Sequence, residues 1–368
     1  METNNAFPGY QYISALESED HKAHNMFHGV DVGFGGFVFS KPGIYYNVKC
    51  YDVSGMHPAS IIALNCFGEH TKTFKELVDI RQAIKHKNFD QARGMLGGVL
   101  KDYLDDESKA KDLAKALKIV VNSVYGLTSA SFDNPFKDIR NKNNIVALRG
   151  ALTMKLLQDE LEAKGVNVIH IKTDSIKVVD PSPEIEQFIF DFGTQYGYMF
   201  EIEHVFDRIC LVDKAQYVAK LAMDDPEAPG EWTATGAQFQ VPYVFKTLFS
   251  KEPIEFKDMC ERKEVKSAMY LDYCEGLPED EHHYQFIGKV GLFCPMKPGS
   301  GAGYLMRENE TTGKMGAVTG TKGYLWMESD DVKTFGKEDC IDKTYYTKLV
   351  DEAVDTISNF GDYEAFVS

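Results

Sequence analysis

The 368-residue sequence lacks any apolar run approaching the ~18 residues a membrane-spanning helix requires, so no membrane-embedded protein is expected. Its opening stretch, METNNAFPGYQYISALESED, has neither a basic segment nor an apolar centre and does not resemble a secretory signal; a cytoplasmic protein is expected. Its seven cysteines (Cys50, Cys66, Cys210, Cys260, Cys274, Cys294 and Cys340) are an odd number and include no C-x-x-C pair, which leaves disulfide scaffolds and zinc ribbons without support. No tract is compositionally biased, and 30 Gly and 13 Pro are ordinary for this length, which excludes collagenous, mucin-like and broadly disordered chains. Positive charge is also scarce: 40 Lys and Arg against 56 Asp and Glu leave a net charge of -16. Such a chain does not grip nucleic acid by bulk charge.

What is present is length enough for two or three domains of roughly 100 to 200 residues, with a 43% hydrophobic fraction able to fill their cores. Charge is segregated along it. Residues 71–118 hold 11 Lys and Arg against 8 Asp and Glu, a net of +3, whereas residues 324–368 hold 4 against 11, a net of -7. A local phosphate-binding face is therefore compatible with an acidic protein.

There is no internal repeat, and glycine and proline divide the chain into strand-rich, helical, mixed and again strand-rich zones. Gly33 to Gly55 reads as two strands around a Lys41-Pro42-Gly43 turn, with Tyr46, Val48, Cys50 and Asp52 alternating onto one face. Thr71 to Tyr125 reads as a helical hairpin with its loop near Gly97-Gly98, since Phe74, Leu77, Val78 and Ile84, and then Leu117, Val120, Val121 and Val124, follow helical spacing. A third helix, about Val146 to Lys164, stops at Gly165. VNVIHI then starts a strand that turns through Lys172-Thr173-Asp174-Ser175 and returns as IKVVD, which puts Asp174 in a tight turn.

Phosphoryl transfer to a hydroxyl calls for acidic side chains that hold two magnesium ions about 4 Å apart. Asp52 and Asp174, each at a strand end beside a turn, can expose carboxylates without burying them unpaired. A strand-end Asp is more often a turn-former, so neither is decisive alone. On the hairpin, Arg81 and Lys85 are i and i+4, and Lys118, Asn122 and Tyr125 are i, i+4 and i+7, so each set forms a stripe. Three cations can then converge on a triphosphate with an aromatic ring against a base; the plainer alternative is a solvated basic face. Asn122-Ser123 and Tyr125-Gly126 serve helix stability poorly, which favours a contact surface.

These residues resemble the family B DNA polymerases over most of the first 220 positions and in the same motif order. Asp52-Val53-Ser54-Gly55-Met56-His57-Pro58-Ala59-Ser60-Ile61 looks like the first palm motif, D-x-x-S-L-Y-P-S-I. Lys118-Ile119-Val120-Val121-Asn122-Ser123-Val124-Tyr125-Gly126 is a full match to the fingers motif K-x-x-x-N-S-x-Y-G. Lys172-Thr173-Asp174-Ser175 is similar to D-T-D-S with its first Asp replaced, and Arg81 to Lys85 looks like the R-x-x-x-K of the first fingers helix. Gly33-Phe34-Gly35-Gly36 resembles Y-x-G-G without its tyrosine, and Lys214-Ala215-Gln216-Tyr217 looks like a degraded K-K-x-Y element at the primer terminus. The nearest likeness is to tailed-phage polymerases, which carry strings like Gly288 to Pro295 and Gly320 to Ser329. A viral protein acting in the host cytoplasm is then expected.

The resemblance implies an α+β right-hand polymerase with an antiparallel palm sheet (residues 1–70 and 127–250), helical-hairpin fingers (71–126) and a C-terminal thumb (251–368). It implies template-directed addition of deoxynucleotides to a primer 3′ end by two-metal transfer, in phage genome replication. Asp52, Asp174 and the Val53 carbonyl would hold two Mg2+ ions. Val53, Ser54, Gly55, Met56, His57, Arg81, Lys85, Lys118, Asn122 and Tyr125 would bind the nucleotide. Gly35, Gly36, Gly126, Thr173, Lys214 and Tyr217 would contact primer-template DNA. Only about 50 residues precede Asp52, too few for the family's proofreading exonuclease, so partners extend to a separate exonuclease chain or other replication proteins. Two departures bear on this: His57 stands where the family has Tyr, and Lys172, where it has Asp, is expected to pair with Asp174 or with a primer phosphate. His170 is expected to be a packed histidine, and Trp326 and Tyr324 to be core residues. Alternatives are a non-catalytic, polymerase-derived DNA-binding subunit, or an RNA-synthesising or untemplated nucleotidyltransferase on the same fold.

Overall fold

The computed structural model describes residues 6–274, 277–278, 281–309 and 311–368. The chain is mixed α and β with antiparallel sheets, and divides into two compact units: Met1–Ile209 with Leu221–Gly230, and Cys210–Lys220 with Glu231–Ser368. Among the described residues no helix is long and apolar enough to cross a membrane.

The first unit begins with a three-stranded meander, β1 (Gln11–Ile13), β2 (His24–Phe27) and β3 (Val30–Asp31). Its main sheet is built from β4 (Val38–Ser40), β5 (Gly43–Val53), β6 (Val168–Lys172), β7 (Ser175–Val179) and β8 (Phe200–Leu211), in the order β8-β5-β7-β6-β4. The strands on either side of the Lys41-Pro42-Gly43 turn are present, but they do not pair with each other. β4 pairs with β6 and β5 with β7, so the β6–β7 hairpin lies between them. Nor does Tyr46 share a buried face with Val48 and Cys50: it is 50% exposed, because Asn47 takes a left-handed φ of 53° and breaks the alternation.

Between β5 and β6 run the helices: α1 (Met56–Ala63), α2 (Thr71–Lys85), the short α3 (Phe89–Gly94), α4 (Glu107–Thr128) and α5 (Ile145–Ala163). α2 and α4 form the expected hairpin, joined through α3 and a left-handed turn at Leu96-Gly97. Asp106 caps α4 by accepting from the Lys109 N–H at 2.9 Å. Ile80, Ile84, Ala110 and Leu117 seal the two helices together. α5 ends as its sequence indicates, with Gly165 at φ 78° just beyond it. Leu152, Leu157 and Leu161 of α5, and Ile189 and Phe192 of α6 (Pro183–Gln195), share one core with Ile171, Ile176 and Val178 of the sheet. Gly150 lets Met56 of α1 lie directly against α5, where a Cβ would collide with the thioether.

The second unit contains β9 (Tyr217–Leu221) up to Lys220, its antiparallel partner β10 (Trp232–Thr235) and a five-stranded antiparallel sheet. That sheet, ordered β14-β13-β11-β12-β15, comprises β11 (Glu261–Asp272), β12 (Tyr284–Met296), β13 (Tyr304–Glu308), β14 (Met315–Ala317) and β15 (Leu325–Glu328). Trp326 is fully buried in its core and donates its indole N–H to the Thr321 carbonyl at 3.1 Å; Tyr324 packs edge-on against Tyr345.

Candidate active site

Strand register brings the two aspartates together. Asp52 lies opposite Ser175 across β5–β7, and Lys172 lies opposite Ser175 across β6–β7, leaving Thr173 and Asp174 as a two-residue turn. Thr173 takes a left-handed φ of 59° to close it, and the Val53 N–H donates to the Asp174 carbonyl at 2.8 Å. The turn is braced from outside by Gly36. A Cβ there would come within 2.8 Å of the Thr173 methyl, and its φ of 135° itself favours glycine.

Both carboxylates open into a cleft of ≈ 530 Å³. The 53–58 segment forms one side, where Gly55, at φ 73°, turns the chain from β5 into α1. The other side is the helical hairpin, which presents Arg81 and Lys85 from α2, and Lys118, Asn122 and Tyr125 from α4. All eighteen of the sequence's candidate residues can be located in this unit or the next. Twelve line this cleft: Asp52, Val53, Ser54, Gly55, Met56, His57, Arg81, Lys85, Lys118, Asn122, Tyr125 and Asp174. Gly36 and Thr173 pack together beside it. Gly35 and Gly126 have open space around them, and Lys214 and Tyr217 belong to the second unit, in the turn before β9 and at its first residue.

Burial, and then the charge of Asp174, push the Asp52 carboxyl up to about 7; Glu203 adds to this and Lys85 opposes it. Burial likewise raises Asp174. The pair is thus short of positive charge on the carboxylate side of the cleft. His57 is held below the usual histidine range by burial, which favours neutral imidazole, and its ring lies 4.1 Å from that of Tyr125. The Tyr125 hydroxyl donates to Asn144 at 2.8 Å, and the Asn144 amide donates to the Phe34 carbonyl at 2.6 Å. A polar chain therefore links α4 to the Gly33–Gly36 element.

Several residues here escape motif reading. Glu203 and Glu227 line the cleft; Asp225, accepting from the backbone of Val205, Glu227 and Ala228 at 2.8–2.9 Å, orders the segment that carries Glu227. Glu201 forms an ion pair with Lys85 and a hydrogen bond of 2.9 Å with His86. Gln82 reaches across from α2 to donate to the Ser54 hydroxyl at 2.6 Å. The available signal was the acidic alternation of Glu201 and Glu203, which places both on one face of β8. Lys172 departs from its expected pairing with Asp174: it is exposed and, among the described residues, forms no ion pair, because it points out of the strand before the turn. His170 is 2% exposed and packed, as expected.

Among the described residues no group of three or more His, Cys, Asp or Glu is arranged to hold a metal ion. The carboxylates on the cleft lining, Asp52 and Asp174 with Glu203 and Glu227, are hard oxygen donors.

No protein-family model matches the chain. No curated protein matches it either. Among solved structures, the family B DNA polymerase from the hyperthermophilic archaeon Pyrobaculum calidifontis is similar over 88% of this chain and 46% of its own, at 12% identity and a TM-score of 0.47. The chain spans about half the length of that polymerase. A likeness at this level assigns neither family nor activity.

Proposed function

We propose that the chain is a template-directed DNA polymerase that adds deoxynucleotides to a primer 3′ end, with residues 1–70 and 127–250 as palm, the 71–126 hairpin as fingers and residues 251–368 as thumb. One observation carries this reading. Two strand-end carboxylates, far apart in sequence, face Arg81, Lys85 and Lys118 across a single cleft. Anionic and cationic residues lining one cleft suit a reaction that must hold a polyphosphate and neutralise charge as a phosphoryl group transfers.

In this reading Arg81, Lys85 and Lys118 hold the triphosphate, Asn122 and Tyr125 frame the nascent base pair, and His57 lies under the sugar. Asp52 and Asp174, with the Val53 carbonyl, would hold Mg2+, whose positive charge would offset the burial and the Asp174 repulsion that raise Asp52. Gly35, Gly36, Gly126, Thr173, Lys214 and Tyr217 are the proposed DNA contacts. The test is primer extension by the purified chain with magnesium and deoxynucleotides. Asp52→Asn and Asp174→Asn are each expected to lower the rate by at least about a thousandfold, a loss of about 4 kcal/mol in transition-state stabilisation, while retaining primer-template binding. A variant within tenfold of wild type would overturn the assignment. A wild type that binds DNA and extends nothing would favour the non-catalytic subunit.

A further inference from the structure

A second groove, of ≈ 470 Å³, lies on the helical hairpin and shares Arg81, Lys85 and Lys118 with the carboxylate cleft. Those three cations therefore border both spaces. The outer groove adds Lys87, Lys111 and Lys115, against one acid, Glu107, which is tied to Lys87 at 2.8 Å. Lys111, Lys115 and Lys118 are spaced i, i+4 and i+7, so they stand on one face of α4. Like charges so placed weaken a helix by a few tenths of a kcal/mol per pair; Lys115 has an exposed partner in Asp112 at 3.3 Å, whereas among the described residues neither Lys111 nor Lys118 has an ion-pair partner. The floor is apolar, formed by Ile84, Phe89 and Ala114, which raises the strength of charge interactions above it.

We propose that this outer groove is a capture site for the phosphate tail of a nucleoside triphosphate, which lodges on Lys111 and Lys115 before passing across Arg81, Lys85 and Lys118 into the cleft. The proposal rests on reading the cleft as a nucleotide site. Lys111 and Lys115 lie outside the fingers motif, and the groove holds no carboxylate able to compete for magnesium except the paired Glu107. Its chemistry is that of anion binding alone.

Titration calorimetry of inorganic tripolyphosphate into the full chain, in EDTA at low salt, tests it. Lys111→Ala/Lys115→Ala is expected to weaken binding by about fivefold or more. Both lysines are exposed and alanine suits a helix interior, so this variant keeps its fold. Asp52→Asn/Asp174→Asn, which removes negative charge from the neighbouring cleft, is expected to bind at least as tightly as wild type. In primer extension the double-lysine variant should raise KM for deoxynucleotides several-fold, with the loss in KM rather than kcat. Unchanged tripolyphosphate affinity in that variant overturns the groove. Weakened affinity with an unmoved KM overturns its place on the nucleotide's route. A wild type that binds tripolyphosphate but extends no primer defeats the polymerase reading instead, and the calorimetric comparison still decides whether the groove binds anions.

Discussion

Glu201 occupies one of the cations that the proposed triphosphate needs. Its carboxylate, on β8, ion-pairs with Lys85 and hydrogen-bonds to His86 at the end of α2, so an arriving phosphate must displace it. The contact is half exposed and worth up to about 1 kcal/mol, a factor of about five in affinity. Glu201→Gln is therefore expected to lower the apparent KM for deoxynucleotides by up to about fivefold, checked by steady-state extension across nucleotide concentrations. His57 poses a different question at the same scale. A neutral imidazole against Tyr125 is shorter than the phenol that the resembling motif carries, and it can accept or donate a hydrogen bond to a ribose 2′-OH. His57→Tyr should discriminate more strongly than wild type against ribonucleotides and His57→Ala less strongly, read as the ratio of kcat/KM for the deoxy- and ribonucleotide. An unchanged ratio in His57→Ala would place the gate elsewhere.

At the scale of elements, the β6–β7 turn is the part on which the site most depends, and it is held from outside by a glycine. Gly36→Ala would press a methyl against Thr173 and force an L residue to φ 135°, whereas Gly35, one position earlier, has open space around its Cα. Gly36→Ala is expected to cost about 1–3 kcal/mol and Gly35→Ala less than about 0.5, measured by denaturant titration. Elements of this kind were largely legible in the sequence. The helical hairpin announces itself by its 3.6-residue spacing, and the tight turn at Asp174 by the short interval between two apolar strands. Sheet order was not legible, because β4 and β5 are neighbours in sequence while their partners arrive more than a hundred residues later. For the same reason Glu203, Glu227 and Asn144 escaped notice: each reaches the site from a segment with no recognisable motif, and only the tertiary fold gives it a role.

For the whole molecule, a net charge of -16 limits how nucleic acid can be held. Long-range repulsion must be overcome by a few local contacts, so DNA affinity should depend on salt through those contacts alone. A plot of log K against log[salt] is expected to be no steeper than about -6, the slope for fewer than about seven phosphates. Fluorescence anisotropy with a primer-template over 50–200 mM salt, about the range in which such contacts fade, checks this. A slope near -10, like that of proteins making extensive backbone contacts, would show that the acidic balance is no guide to the DNA-facing surface.

The juxtaposition of Asp52 and Asp174 has a consequence for how a batch of this protein is judged. The two meet only because β7 runs in register with both β5 and β6. A slip of one residue on either side would turn the side chains of a whole strand to the opposite face. Such a chain could keep much of its helix content, yet own no paired carboxylates. If the pair holds magnesium as proposed, titrating the fraction of molecules able to take up a divalent ion would count threading errors that circular dichroism overlooks.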